Sequence, residues 1–148
     1  MILSKSTGYG IRALAFLARR TDGRPSLVHE IAEHEGIPPV FLQKILGELR
    51  RHRMLRSAKG IHGGYELERP AEEITLWEIF SLLEPDPHLD TCILGRGICR
   101  PENACGLHAD WQRIRHDLVG VLQQTTLAHF AGTPALAALT PFLEDPKP

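Results

Sequence analysis

Apolar residues recur at helical spacing along most of this chain, and the breaks between runs mark its elements. Ile11, Leu14, Ala15, Leu17 and Ala18 share one face of a helix predicted over residues 7–20, which Asp22 and Gly23 end. Ser26 is a suitable cap for a short second helix carrying Leu27, Val28, Ile31 and Ala32, and Gly36 breaks it. Pro38 falls near the first turn of a third helix, where a missing N–H costs nothing. There Phe41, Leu42, Ile45, Leu46 and Leu49 form an apolar stripe, with Gln43, Lys44, Glu48, Arg50 and Arg51 off it. Two short helices about a glycine turn, the second polar on its outer face, make a helix-turn-helix pattern.

Leu55 to Ala58, a Lys59-Gly60-Ile61-His62-Gly63-Gly64 tip, and Tyr65 to Leu67 then read as a β-hairpin, a wing in this position. After Pro70, Thr75-Leu76-Trp77-Glu78 is a capping box opening a helix through Ile79, Phe80, Leu82 and Leu83. Pro85 and Pro87 end it and start a loop rich in cysteine and glycine. A last long helix is expected from about Leu107. Its residues Leu107, Trp111, Ile114, Leu118, Val121 and Thr125 follow the alternating three–four spacing of a helix–helix seam. The chain before it offers little surface to cover that seam, so Trp111, Ile114, Leu118 and Val121 are read as a dimer interface.

The expected fold is therefore mainly α with a small β-hairpin wing: a winged helix-turn-helix plus a long dimerisation helix. The expected organisation is a DNA-binding domain over 1–84, a cysteine-rich cluster-binding loop over 85–106, the dimerisation helix over 107–131, and a flexible tail over 132–148. The formal net charge of −1 hides an asymmetry: residues 1–69 hold 12 Lys+Arg against 7 Asp+Glu, and residues 70–148 hold 5 against 11. A basic front suits an anionic partner. The N-terminus has no signal-peptide pattern, and no apolar run approaches the ~18 residues of a membrane span. A cytoplasmic protein without a membrane partner is expected.

All three cysteines and one histidine fall in a C-x6-C-x5-C-x2-H run: Cys92, Cys99, Cys105 and His108. Three cysteines cannot complete a disulfide framework. Thiolates with one imidazole suit an iron–sulfur cluster or zinc, and Gly95, Gly97 and Gly106 give the backbone freedom to wrap an inorganic core. Structural zinc usually has tight cysteine pairs, which this run lacks. A bare thiol sensor is the third reading. For DNA, Gln43 could read adenine and Lys44 guanine or a phosphate. Arg50 and Arg51, with Arg53 and Arg56, suit phosphates. Lys59 or His62 could enter the minor groove, while Gly63 and Gly64 allow close backbone approach. His29-Glu30-Ile31-Ala32-Glu33-His34 imitates a zinc-protease helix, but its second histidine is one residue late, about 100° off the ligand face. No nucleophile–base pair or phosphate-cradling loop is present, so an enzyme is not expected.

Several ordered motifs together resemble the Rrf-two family of bacterial winged-helix regulators, in particular its cluster-binding IscR- and NsrR-type members. They are Ser4-Lys5-Ser6-Thr7-Gly8-Tyr9-Gly10-Ile11-Arg12-Ala13-Leu14, Gly36-Ile37, Gly63-Gly64-Tyr65, the three cysteines, Leu107-His108-Ala109-Asp110-Trp111 and Thr125-Thr126-Leu127. The resemblance implies a homodimer on an imperfectly palindromic, double-stranded operator, with a cluster in the 92–108 loop that alters DNA affinity. It assigns Cys92, Cys99 and Cys105 as cluster ligands and His108 as the IscR-type fourth ligand. It places Gln43 where bases are read and Lys59 where a wing base enters the minor groove. Two departures matter. Gly8 stands where NsrR-type members can carry a ligating carboxylate, which favours 2Fe–2S over 4Fe–4S. The first two cysteines are one residue further apart than in IscR. The expected function is a transcription regulator, a repressor or redox sensor under cluster control. The alternatives are a small iron–sulfur electron-transfer protein and a zinc- or thiol-based regulator without a cluster.

Overall fold

The computed structural model describes residues 3–84 and 89–133. Helix α1 (Lys5–Arg19) begins where extended Ser4 accepts a hydrogen bond from the Thr7 N–H. It is the hub of the body: Ile11, Ala13, Leu14, Ala15 and Leu17 are buried, and the other elements of the body gather around it.

Helices α2 (Val28–Glu35) and α3 (Pro39–Arg51) form the helix-turn-helix. Gly36 takes the left-handed conformation (φ 62) that this turn needs, and its N–H reaches back to the carbonyls of Ala32 and Glu33. Ser26 is not the cap of α2. Leu27 holds that place, with Glu30 accepting from its N–H at 2.7 Å. Ser26 is instead buried, and its backbone bonds in both directions to Tyr65, at 2.9 and 2.8 Å. A residue whose N–H and carbonyl are committed to a neighbouring strand cannot also turn into a helix.

In α3, Leu42, Ile45, Leu46 and Leu49 are buried as their spacing predicts, but Phe41 is 59% exposed. At 100° per residue it lies about 90° from the centre of that stripe. Strands β1 (Leu55–Ala58) and β2 (Gly64–Leu67) pair antiparallel, Leu55 opposite Leu67 and Ala58 opposite Gly64. The expected hairpin is thus present, widened on one side by Ser26.

A 3-10 turn at Ala71–Glu73 leads into α4 (Leu76–Leu83). Its capping box is reciprocal: the Glu78 N–H donates to Thr75 Oγ1 at 3.2 Å, and the Thr75 N–H donates to Glu78 Oε2 at 2.9 Å. The helix expected over 107–131 is divided into α5 (His108–Gln124) and α6 (Leu127–Ala131). Between them the chain pairs with the entry to α4. The Leu76 N–H donates to Thr125 O (2.9 Å) and the Leu127 N–H to Ile74 O (2.7 Å). A continuous helix could not spare those groups. Leu127 and Ala131 then bury themselves in the body, joining Leu14, Ile31, Leu46, Ile74, Ile79 and Phe80. Pro85, Pro87 and the tail beyond residue 133 lie outside the described residues.

Candidate nucleic-acid interface and cysteine loop

Two surfaces follow from this fold. On the first, α3 holds its apolar stripe against α1 and leaves Gln43 and Lys44 exposed on the opposite face. Arg50 donates to Ser57 Oγ at 3.1 Å, which ties the end of α3 to the wing. Arg51 is paired with Glu48, and Arg56 with Glu66 across the hairpin at 2.8 Å. These cations are therefore exposed yet tied to neighbours at the surface. Arg53 turns the chain from α3 to β1 at φ 58, its N–H on Arg50 O (3.0 Å).

At the wing tip Lys59, Ile61 and His62 are exposed. Gly63 and Gly64 are explained inside the chain. A Cβ on Gly63 would lie 2.4 Å from Ala58 O; one on Gly64, at φ 140, would lie 2.4 Å from Ser26 O. Only glycine lets the three backbone segments meet. Behind this surface, Glu35 is buried at the end of α2 and accepts from Arg12 Nε (3.2 Å) and Arg19 Nη2 (3.0 Å), locking α1 to the helix-turn-helix. Its neighbour His34 lies 3.1 Å from the same carboxylate, so the apparent zinc-protease helix is part of a structural ion-pair cluster.

The second surface is the cysteine loop, which has more local structure than its sequence foretells. Residues 90–99 form a tight hairpin. The Cys92 N–H donates to Gly97 O (2.7 Å), the Cys99 N–H to Asp90 O (2.7 Å), and Thr91 bridges Ile98. Gly95 and Gly97 supply the positive φ its tip requires, 73 and 81. Asn103 then clamps the exit, donating to Ile98 O and accepting from the Arg100 N–H, both at 2.8 Å. Two side chains of α5 staple this hairpin down: Trp111 Nε1 donates to Thr91 O at 2.8 Å, and Arg115 donates to Leu89 O.

The three thiols are half-buried and none is in a disulfide. The backbone N–H groups of Leu94 and Arg96 point at the Cys92 sulfur and hold its thiol below the usual range, with the Arg96 charge assisting and slight burial opposing. Cys99 Sγ lies 3.2 Å from His108 Nδ1. Among the described residues, no three Cys, His, Asp or Glu side chains converge into a ready-made ion site. The donor set nonetheless fits a soft-metal cluster in its chemistry: one activated thiol, a thiol–imidazole contact, and a third free thiol on the same short stretch. Of the four residues read as the dimer interface, Ile114 and Val121 are exposed (51% and 60%), Leu118 leans on the core, and Trp111 serves the hairpin.

Pattern reading missed the roles of Glu35, Asn103 and Arg115 and the second task of Trp111. The arginine partners of Glu35 and the backbone partners of Arg115 and Trp111 lie 16 or more positions along the chain, where no spacing rule signals them, while Asn103 caps locally within a loop that carries no periodic pattern. Glu84 was missed likewise: its Oε2 accepts from the Ser4 N–H (3.0 Å) and the Thr7 hydroxyl (2.7 Å), joining the residue just before the loop to the start of α1.

The Rrf2 family model, described as an iron-dependent transcriptional regulator, matches residues 3–133. A helix-turn-helix-type transcriptional regulator of Mycobacterium tuberculosis is 35% identical over 133 residues, 89% of this chain and 82% of that protein. The transcriptional regulator IscR of Escherichia coli is 28% identical over 127 residues, 86% of this chain and 78% of IscR. Among solved structures, the oxidized form of Staphylococcus aureus CymR superposes with a TM-score of 0.72 at 30% identity, covering 90% of this chain and 98% of that one. Among the described residues, no helix is long and apolar enough to cross a membrane.

Proposed function

Since the chain belongs to the Rrf2 family of transcription regulators, not of enzymes, we propose that it is a homodimeric DNA-binding switch governed by an iron–sulfur cluster. The observation that carries this reading is that Cys92 and Cys99 lie on a hairpin stapled to α5 by Trp111 and Arg115, with His108 at the start of α5 against Cys99 and Cys105 in the short turn before it. Those four side chains would hold the cluster, which would supply redox chemistry open to oxidation or nitrosylation. The 2Fe–2S type is favoured over 4Fe–4S, because Gly8 has no side-chain donor and His108 already lies at Cys99.

The chain's own residues do the rest. Gln43 and Lys44 face the major groove, Arg50 and Arg51 meet phosphates, and Lys59 and His62 reach the minor groove from a tip that Gly63 and Gly64 shape. Ile114 and Val121 of α5 face a second copy, so two reading heads span an imperfect palindrome. Any shift of the hairpin moves Trp111 and Arg115, hence α5. From there it passes through the backbone bonds of Thr125 and Leu127 to the entry of α4, and so to the body that carries α3.

A second reading has its own support. The acidic Cys92 thiol and the likeness to oxidized CymR favour a thiol switch without a cluster. One experiment separates the two: anaerobic purification with visible absorption and iron and sulfide assays, on the native chain and on His108→Ala. About two irons and two sulfides per chain, with a spectrum altered in the variant, supports the cluster reading. Four irons and no effect of His108→Ala overturns the 2Fe–2S assignment. A colourless protein that reconstitution leaves colourless, and whose DNA affinity follows thiol oxidation, replaces the cluster by the thiol switch.

A further inference from the structure

The surface read above as DNA-facing carries apolar side chains that phosphate contacts do not explain. Val40 is 69% and Phe41 59% exposed, while the core work of α3 falls to Leu42, Ile45, Leu46 and Leu49. Val40 lies three and four residues before Gln43 and Lys44, so the three share a helix face. One turn further on stands Gly47, where a Cβ would meet nothing within 4 Å. Glycine in a helix interior is destabilising, and here no contact inside the chain asks for it. An absent side chain there lets another molecule approach the helix closely.

The occupant follows from size and charge. Two exposed apolar residues are far less than the ~800 Å² per partner of a stable protein interface. Lys44 stands one turn from Val40, and Arg50 and Arg51 close the far end of the same helix, which suits a polyanion with a small apolar feature. In the major groove that feature is the 5-methyl group of thymine. Resting on the DNA-binding reading above, we infer that Val40, with Phe41 beside it, is a specificity residue that packs on a thymine methyl. Gly47 lets α3 sit deep enough for that contact.

The test uses the full-length protein and duplexes it selects from a randomised pool. Each thymine of a half-site is replaced singly by deoxyuridine, which deletes the methyl and leaves the hydrogen-bonding edges intact. One replacement is expected to weaken native binding about fourfold, the factor matching ~0.8 kcal/mol for one buried methyl group. In Val40→Ala that penalty should vanish. Val40 is exposed, so the variant keeps its fold, checked by its unfolding midpoint. The inference fails if no single replacement weakens binding, or if Val40→Ala retains the penalty. An absence of any salt-sensitive, sequence-selective duplex binding would instead sink the DNA-binding reading beneath it.

Discussion

Arg53 is, among the described residues, the non-glycine that adopts a left-handed backbone, and it does so at the corner between α3 and the wing. An L-side chain there costs roughly 1–2 kcal/mol. Arg53→Gly should therefore gain up to ~1 kcal/mol of stability, since glycine's extra freedom when unfolded offsets part of the relief. If its cation meets a phosphate, the slope of log affinity against log salt should fall by about one. Urea unfolding and a salt titration of DNA binding measure the two effects, and an unchanged slope removes Arg53 from the contact set. Glu78 offers a pH test. Burial opposes its ionisation, but the Thr75 N–H, the Arg69 guanidinium and the Thr75 hydroxyl outweigh that and lower its pKa from 4.5. A depressed folded pKa contributes stability above the unfolded value and loses it as pH falls through the folded one. Glu78→Gln should thus be less stable than the native chain at neutral pH, with the gap closing below about pH 4.5. Partial exposure keeps the effect small. Equal gaps at neutral and acid pH would show that the carboxylate charge contributes nothing to the cap. This cap was legible in the sequence because its partners are three residues apart. The Glu84 link to Ser4 and Thr7, 80 and 77 positions away, was not.

Helix α5 shows how far periodicity reaches at the scale of an element. Its seam was readable, but only Leu122 of the helix is fully buried, and the predicted seam residues divide between three tasks. Leu118 faces the body, Trp111 the hairpin, and Ile114 and Val121 the outside, seven residues apart on one face. Spacing identifies a face; it does not say which neighbour covers it. The double variant Ile114→Glu, Val121→Glu should stay folded, since both positions are exposed, yet sediment as a monomer. Its operator affinity should fall because the two half-sites are no longer bound by one linked species. A variant that remains dimeric would exclude this face as the interface. The same limit explains Phe41: an apolar residue at the edge of a stripe looks like core until the packing shows that nothing covers it.

For the whole molecule, the decisive relation is between the cysteine hairpin and the reading head. Among the described residues, the bridge between Thr75 and Thr126 joins the end of α5 to the entry of α4, and the proposed coupling would run first through that link. An allosteric coupling of ~1–3 kcal/mol would change operator affinity roughly 5- to 150-fold. Trp111→Phe keeps the aromatic ring and removes the N–H that holds Thr91 O. It should leave DNA binding by the cluster-free protein intact while shrinking the ratio of affinities with and without the loaded loop. Binding isotherms in both states test this, and an undiminished ratio would route the signal elsewhere, with the Glu84 link to α1 the next path to break.

The sequence by itself determined what is local: α1 through α4 and the start of α5, the Thr75–Glu78 cap, the wing turn, and the donor set of Cys92, Cys99, Cys105 and His108. Helical spacing, capping and turn chemistry depend on residues within a few positions of one another, and that information survives in a linear pattern. The tertiary structure alone decided that Ser26 joins the wing, that the last helix breaks at Thr125, and that Trp111 turns to the loop. It also decided that Val40 and Phe41 remain uncovered. Each of these outcomes is settled by which distant backbone group or surface arrives to claim a hydrogen bond or bury a side chain, and no local period records it.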